Sequence, residues 1–500
     1  MNRRSGILLS ISSLPSPYGI GTLGKEAYEF VDFLKASGQQ YWQMLPVGPT
    51  AIGNSPYSTY SSMAGNPLFI DLTELIEKGF LEKEELDKIN WGDSPDRVDY
   101  DAVKSNRRKV LYTAYKNGFD KNAVDCFTKE NKWVDDYALF MAAKKYFNYK
   151  PWYEWPDKKL QKRDSYVLNV YREKLKDEIN FQRFLQYTFY RQWSSLKDYA
   201  NKQGIIIIGD MPIYVARDSS DLWCEPEFFQ LDEDLVPEAV AGVPPDYFSE
   251  DGQLWGNPLY NWERMKEDGY GWWIRRVEGA SKLFDVIRID HFRAFASYWA
   301  IPVNSKTAKD GEWRKGPGMD LIGVLKNWFY NVRFIAEDLG VLTHDVTELL
   351  EESGLPGMNV LEFAFSSDAS SKYLPYRCIE NSVTYVGTHD NDTGEGWYSD
   401  PNLDEEVKRT AKDYLGISEL EPASLSLIRG GMGTASCLFI AQMQDWLALG
   451  SEARMNVPGT TVNNWEWRMT PDVCDKELIL HIYRYTKLFG RLPEKGIGAF

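Results

Sequence analysis

The chain has 500 residues and a mass of 57.6 kDa, a size that calls for two or three domains or one large α/β architecture with insertions. Its 43% hydrophobic and 26% charged residues exclude disorder, and 57 Lys and Arg against 73 Asp and Glu leave a net charge of −16, which repels nucleic acid and anionic membranes. Aromatic residues reach 14%, including 18 Trp and 30 Tyr, so part of that surface is expected to face a neutral ligand.

The opening Met1-Asn2-Arg3-Arg4 with Gly6-Ile7-Leu8-Leu9 has the outline of a signal peptide. Ser10, Ser12 and Ser13 interrupt the apolar run, however, and no cleavage pattern follows, so a buried strand is expected instead. No stretch approaches the ~20 apolar residues that a membrane span needs. Five cysteines, an odd number without CxxC spacing, support neither a disulfide framework nor a zinc site. A cytoplasmic location is the expectation.

Short apolar runs bounded by Gly, Pro or Asp recur at 7–14, 41–47, 205–213, 284–292, 334–340, 359–365, 383–390 and 437–443. Near-continuous apolar runs alternating with helices indicate a parallel sheet covered on both faces, and eight of them favour an α/β fold of the closed (β/α)8, or TIM barrel, type over an open doubly wound sheet. The whole chain, 1–500, then forms one barrel domain. The roughly 150 residues between the second and third runs exceed one crossover. Leu111, Tyr115, Leu139, Phe140, Ala143, Phe181, Phe184, Leu185 and Phe189 stand at helical spacing there, which predicts a mostly helical insertion over 73–200. The stretch 231–257, with Gly242, Pro244, Pro245, Gly252 and Gly256 among Tyr247, Phe248 and Trp255, reads as a long ordered loop over the catalytic face.

Gly19-Ile20-Gly21-Thr22-Leu23-Gly24 is a literal G-x-G-x-x-G. A dinucleotide site needs the first Gly at the strand end and an acid at the end of the next strand; here Pro15 to Tyr18 intervene and the next strand closes on Pro46-Val47-Gly48, so the nucleotide reading is rejected. No other phosphate loop and no metal-ligand spacing occurs, and no cofactor is expected.

The run 284–292 ends in Arg288-Ile289-Asp290-His291-Phe292-Arg293. Strand alternation puts Arg288 and Asp290 on one face, either as a salt bridge closing the core or as catalytic groups at the C-terminal end of a barrel strand. Acid-tipped strands recur at Asp210, at Glu337-Asp338 and at His389-Asp390-Asn391-Asp392. One such acid could cap a helix; four converging on one mouth exceed what capping explains. Clustered carboxylates raise one another's pKa, so one can act as an acid while another is a nucleophile. With abundant aromatic residues and no Ser-His-Asp context, this points to glycoside chemistry.

These motifs, together with Ser12-Ser13-Leu14-Pro15-Ser16, Leu45-Pro46-Val47-Gly48-Pro49, Ser55-Pro56-Tyr57, Gly65-Asn66-Pro67, Gly242-Val243-Pro244-Pro245-Asp246-Tyr247-Phe248 and Trp255-Gly256-Asn257-Pro258, resemble in order and spacing the 4-α-glucanotransferases, also called amylomaltases or disproportionating enzymes, of glycoside hydrolase family 77 in the α-amylase clan. The resemblance implies that Asp290 is the nucleophile, Glu337 the general acid/base and Asp390, beside His389, the carboxylate that binds and distorts the donor sugar. It implies that Arg288 keeps Asp290 ionised. Tyr57, Asp210, Gly242, Pro244, Asp246, Tyr247, Trp255 and Asn257 are implied as contacts to an α-1,4-glucan such as a maltooligosaccharide or amylose. Ala294 stands where many relatives have Gly, and the run at 437–443 matches only loosely. A hydrolase of the same clan and a non-catalytic glucan-binding protein are the competing readings; the second would have lost a catalytic acid, and all three are present.

Overall fold

The computed structural model describes residues 3–245, 250–340, 343–366 and 370–493. Its strands are β1 (Arg4–Leu8), β2 (Tyr41–Gln43), β3 (Ile206–Met211), β4 (Ala239–Val243), β5 (Gln253–Pro258), β6 (Val286–Ile289), β7 (Ser297–Pro302), β8 (Glu312–Lys315), β9 (Arg333–Ala336), β10 (Gly357–Val360), β11 (Ser382–Tyr385) and β12 (Leu438–Gln442). Eight of them form a parallel sheet in the order β10-β11-β12-β1-β2-β3-β6-β9. The Ala336 amide donates to the Pro356 carbonyl at 2.9 Å, bringing β9 against the start of β10 and closing the barrel. Each of the eight apolar runs supplies one of these strands.

Side-chain alternation separates two cores. Leu8, Tyr41, Ile206, Ile208, Val286, Ile335, Val383, Tyr385 and Ile440 pack inside the barrel. Ile7, Trp42, Ile207, Ile287, Phe334 and Phe439 point outward into the layer beneath the helices. The same parity, carried past the strand ends, directs Asp210, Arg288, Asp290, Glu337 and His389 inward at the C-terminal mouth.

Between β2 and β3 the chain is helical, with helices that include Tyr100–Asn117, Lys121–Glu130, Trp133–Tyr146 and Lys176–Lys202. Asp99 and Asp120 cap the first two by accepting from the Ala102 and Ala123 amides, both at 3.0 Å. The last helix buries Phe181, Phe184, Leu185, Thr188, Phe189, Gln192 and Leu196 along one stripe. From that stripe Gln186 exchanges two hydrogen bonds with the backbone of Gly65, and Gln192 accepts from the Asp71 amide at 2.8 Å. The insertion thereby fixes the 55–71 segment that carries Tyr57. No helix among the described residues is long and apolar enough to cross a membrane.

The stretch 231–257 differs from the expected loop. It contributes β4 and β5 to a four-stranded antiparallel sheet ordered β5-β4-β7-β8. Gly242 lies within β4, where a Cβ would come 2.2 Å from the Gln253 carbonyl oxygen; strand packing therefore requires glycine there. The rejected G-x-G-x-x-G also packs tightly, since a Cβ on Gly21 would meet the Ile11 carbonyl oxygen at 1.8 Å and one on Gly24 would meet the Asp71 carboxylate.

Candidate active site

Arg288, buried on β6, organises the mouth of the barrel. Its Nη1 donates to both carboxylate oxygens of Asp210, at 2.7 and 2.6 Å, and to Oδ1 of Asp290 at 3.0 Å. Asp290 sits one residue beyond β6, with its amide donating to the Met211 carbonyl at 3.1 Å. The Arg288 side chain is 4% exposed and that of Asp290 25%, so the cation is sealed in while the carboxylate reaches the cleft. Burial raises the Asp290 pKa, the neighbouring Asp210, Glu337 and Asp390 raise it further, and Arg288 opposes them.

Glu337 follows β9. Its Oε2 accepts from the His291 amide at 2.6 Å and its Oε1 from the Leu339 amide at 2.9 Å. His291 presents that amide because it adopts a left-handed conformation, φ 53° and ψ 47°, immediately after Asp290. Burial nonetheless raises the Glu337 pKa against the pull of Arg288 and these two donors, which favours its protonated form. The His291 imidazole is pushed down to about 3 by burial and then by Arg293. It is neutral at physiological pH and lies edge-on to Trp255, with ring centroids 4.9 Å apart.

The third acid is reached through aromatic packing. Tyr57 donates to Asp210 Oδ2 at 2.7 Å and stacks on His389, at 4.9 Å between centroids and 17° between planes. His389 Nε2 lies 3.4 Å from Asp390 Oδ2. Burial works against charge on His389, but Asp390 outweighs it and the His389 pKa rises. Burial would likewise raise Asp390, yet His389 and a hydrogen bond from Asn456 hold its carboxylate below the usual range. The structure thus gathers Tyr57, Asp210, Arg288, Asp290, Glu337, His389 and Asp390 into one polar cleft with two raised carboxyls and one depressed.

Trp255, 39% exposed, stands at the rim on β5. Asn257 on the same strand turns its amide to the Val215 carbonyl at 2.9 Å, so it ties β5 to the segment after β3. Pro244 is half-buried just past β4. Asp246 and Tyr247 lie outside the described residues.

Residues 9–474 match the family profile described as 4-alpha-glucanotransferase, glycoside hydrolase family 77. The chain belongs to this family. It is 46% identical over 488 residues to the 4-alpha-glucanotransferase of Clostridium butyricum, covering 97% of this chain and 100% of that one. It is 45% identical over 488 residues to that of Thermus thermophilus, covering 95% and 96%. The solved amylomaltase from Streptococcus agalactiae in complex with acarbose superposes with a TM-score of 0.96 at 42% identity, over 98% of this chain and 100% of that one.

Within this 4-alpha-glucanotransferase framework, three site residues carry no signal in the sequence. Asn456 Nδ2 donates to Asp390 Oδ1 at 2.6 Å, and Arg454 Nη2 donates to the Asp390 carbonyl at 2.7 Å. Trp465 backs both Tyr57 and His389, with 5.9 Å between ring centroids in each case. All three come from the irregular stretch after β12, which has no acid-tipped strand to mark them.

Proposed function

We propose that this cleft transfers a segment of an α-1,4-glucan to the 4-hydroxyl of another glucan, with retention, by double displacement. Asp290 attacks the anomeric carbon as Glu337 protonates the departing glycosidic oxygen. The shortened glucan leaves, and a second glucan's 4-hydroxyl, deprotonated by Glu337, displaces Asp290. The observation that carries this is the pairing of two carboxyls at adjoining strand ends, both with raised pKa values. Asp290 has the Arg288 guanidinium at 3.0 Å, which favours its ionised form against burial and the neighbouring carboxylates. Glu337 is raised by burial against Arg288 and the His291 and Leu339 amides, which favours the protonated form.

Asp390, held ionised by His389 and Asn456, binds donor-sugar hydroxyls and favours distortion of the ring. Tyr57 and Asp210 line the donor side. Trp255 on β5 covers the glucan, and the helix Lys176–Lys202 braces the 55–71 segment that carries Tyr57. Oligosaccharides such as maltotriose, and acarbose as in the Streptococcus agalactiae complex, are the expected occupants. Five unpaired cysteines suit a reducing cytoplasm.

Incubation with maltotriose tests the reading. Glucose or maltose should appear with longer maltooligosaccharides while the number of reducing ends stays nearly constant. A steady rise in reducing ends would establish the hydrolase reading instead.

A further inference from the structure

Asp390 lies on the turn after β11, and its side chain is 48% exposed. An exposed carboxylate on a turn needs an external brace to hold one orientation. Asn456 braces Oδ1 and His389 faces Oδ2. Behind both stands Arg454, whose Nη2 donates to the Asp390 carbonyl at 2.7 Å while its Nε donates to the Asn456 carbonyl, also at 2.7 Å. Its Nη1 lies 3.8 Å from Asp392 Oδ2, which also accepts from Ser451 at 2.7 Å. One rigid guanidinium thus joins the backbone of the acid to the backbone of the amide that binds that acid. The resulting ring runs from Asp390 through Arg454 and Asn456 back to the Asp390 carboxylate.

We propose that Arg454 is a positioning residue for the reaction, fixing Asp390 and Asn456 as one unit that engages the donor sugar. This rests on the role given above to Asp390. Arg454 touches two carbonyl oxygens and a neighbouring carboxylate, and its effect passes through Asp390. A planar fork reaches the two carbonyls together through Nη2 and Nε, whereas a lysine ammonium is a point donor on a flexible stem. Misplacing a catalytic group by about 1 Å costs on the order of 10²-fold. Arg454→Met should therefore lower kcat/KM for maltotriose by roughly that factor, mostly through kcat. Arg454→Lys, which keeps the charge and one donor, should recover about a tenth to a third of the activity.

The deciding measurement is a double-mutant cycle read by acarbose affinity in titration calorimetry, which needs no turnover. It uses the native chain, Arg454→Met, Asp390→Asn and the double variant. The expected result is that Arg454→Met weakens binding at least about tenfold in the native background and less than about threefold once Asp390 is Asn. Equal losses in both backgrounds would overturn the proposal and leave Arg454 a general loop staple. An Asp390→Asn chain that binds and turns over like the native one would instead overturn the role of Asp390, and this proposal with it. If Arg454→Met does not fold, Arg454→Gln runs the same cycle with the same criteria.

Discussion

Replacing Arg288 by Lys isolates the electrostatic support of Asp290, the nucleophile in the proposed mechanism. In the native structure a single nitrogen, Nη1, touches Asp210 at 2.6 and 2.7 Å and Asp290 at 3.0 Å. A lysine side chain is shorter, and its ammonium would stop roughly 2 Å short of Asp290. At an effective dielectric of about 20, moving the unit charge from 3 to about 5 Å forfeits roughly 2 kcal/mol of attraction, or about 1.6 pKa units. The sign is definite: a carboxylate that loses its cation gains a proton more readily, so the Asp290 pKa rises. The fraction of enzyme with an ionised nucleophile then falls at pH values where the native enzyme is active. The acid limb of the pH profile of kcat/KM, which reports the essential base of the free enzyme, should move up by about 1–2 units. Activity at the top of the profile should fall less than activity two units below it. The assay is disproportionation of maltotriose across pH, with a thermal scan of each protein to show that Asp210, still facing a cation, remains folded into the core. An acid limb that stays in place, or moves down, would refute the electrostatic role given to Arg288.

Three further outcomes follow from the same geometry. Asp290→Asn should lower transfer by on the order of 10³-fold or more with the melting temperature unchanged or higher, and an activated fluorosugar should label the native chain on the peptide containing Asp290, as mass mapping would show. Trp255→Ala removes the exposed ring at the rim. Loss of sugar stacking should raise the acceptor KM roughly tenfold and shift products toward hydrolysis, read as new reducing ends beside the oligosaccharide ladder. Glu362 is 7% exposed, its Oε1 has no hydrogen-bond partner among the described residues, and burial followed by Asp445 and Asp392 drives its pKa well above normal. A carboxyl whose folded pKa is raised contributes stability below the ordinary carboxyl pKa and loses it as pH climbs toward the folded value. Glu362→Gln should therefore gain melting temperature relative to the native chain progressively as pH rises above about 4.3, the unfolded pKa of glutamate, and thermal scans from pH 4 upward check this.

What was legible in the sequence is what local physics determines. Apolar runs with β-branched residues must be strands, and a period of two then decides which side chains share a face. This is why Arg288 and Asp290 could be paired, and why acids at the ends of β3, β6, β9 and β11 could be read from the sequence alone as one mouth. Helical spacing of Phe181, Phe184, Leu185 and Phe189 likewise announced the long helix of the insertion, since a stripe on one face needs no partner to be visible. The antiparallel sheet was not legible: β5 and β8 are half exposed, so their sequences lack the continuous apolar signature, and the glycines and prolines around them read as loop. Nor did any local pattern mark Arg454, Asn456 or Trp465. Their chemistry exists only because the parallel pairing of β11 with β12 lays the stretch after β12 beside the turn after β11, and contacts between segments some 65 residues apart leave no periodicity in either one. The charge states belong to the same class. Asp290, Glu337 and Asp390 are ordinary carboxylates as letters, and only their burial, together with the cation, amides and imidazole that the fold packs around each, raises the pKa of the first two and lowers that of the third.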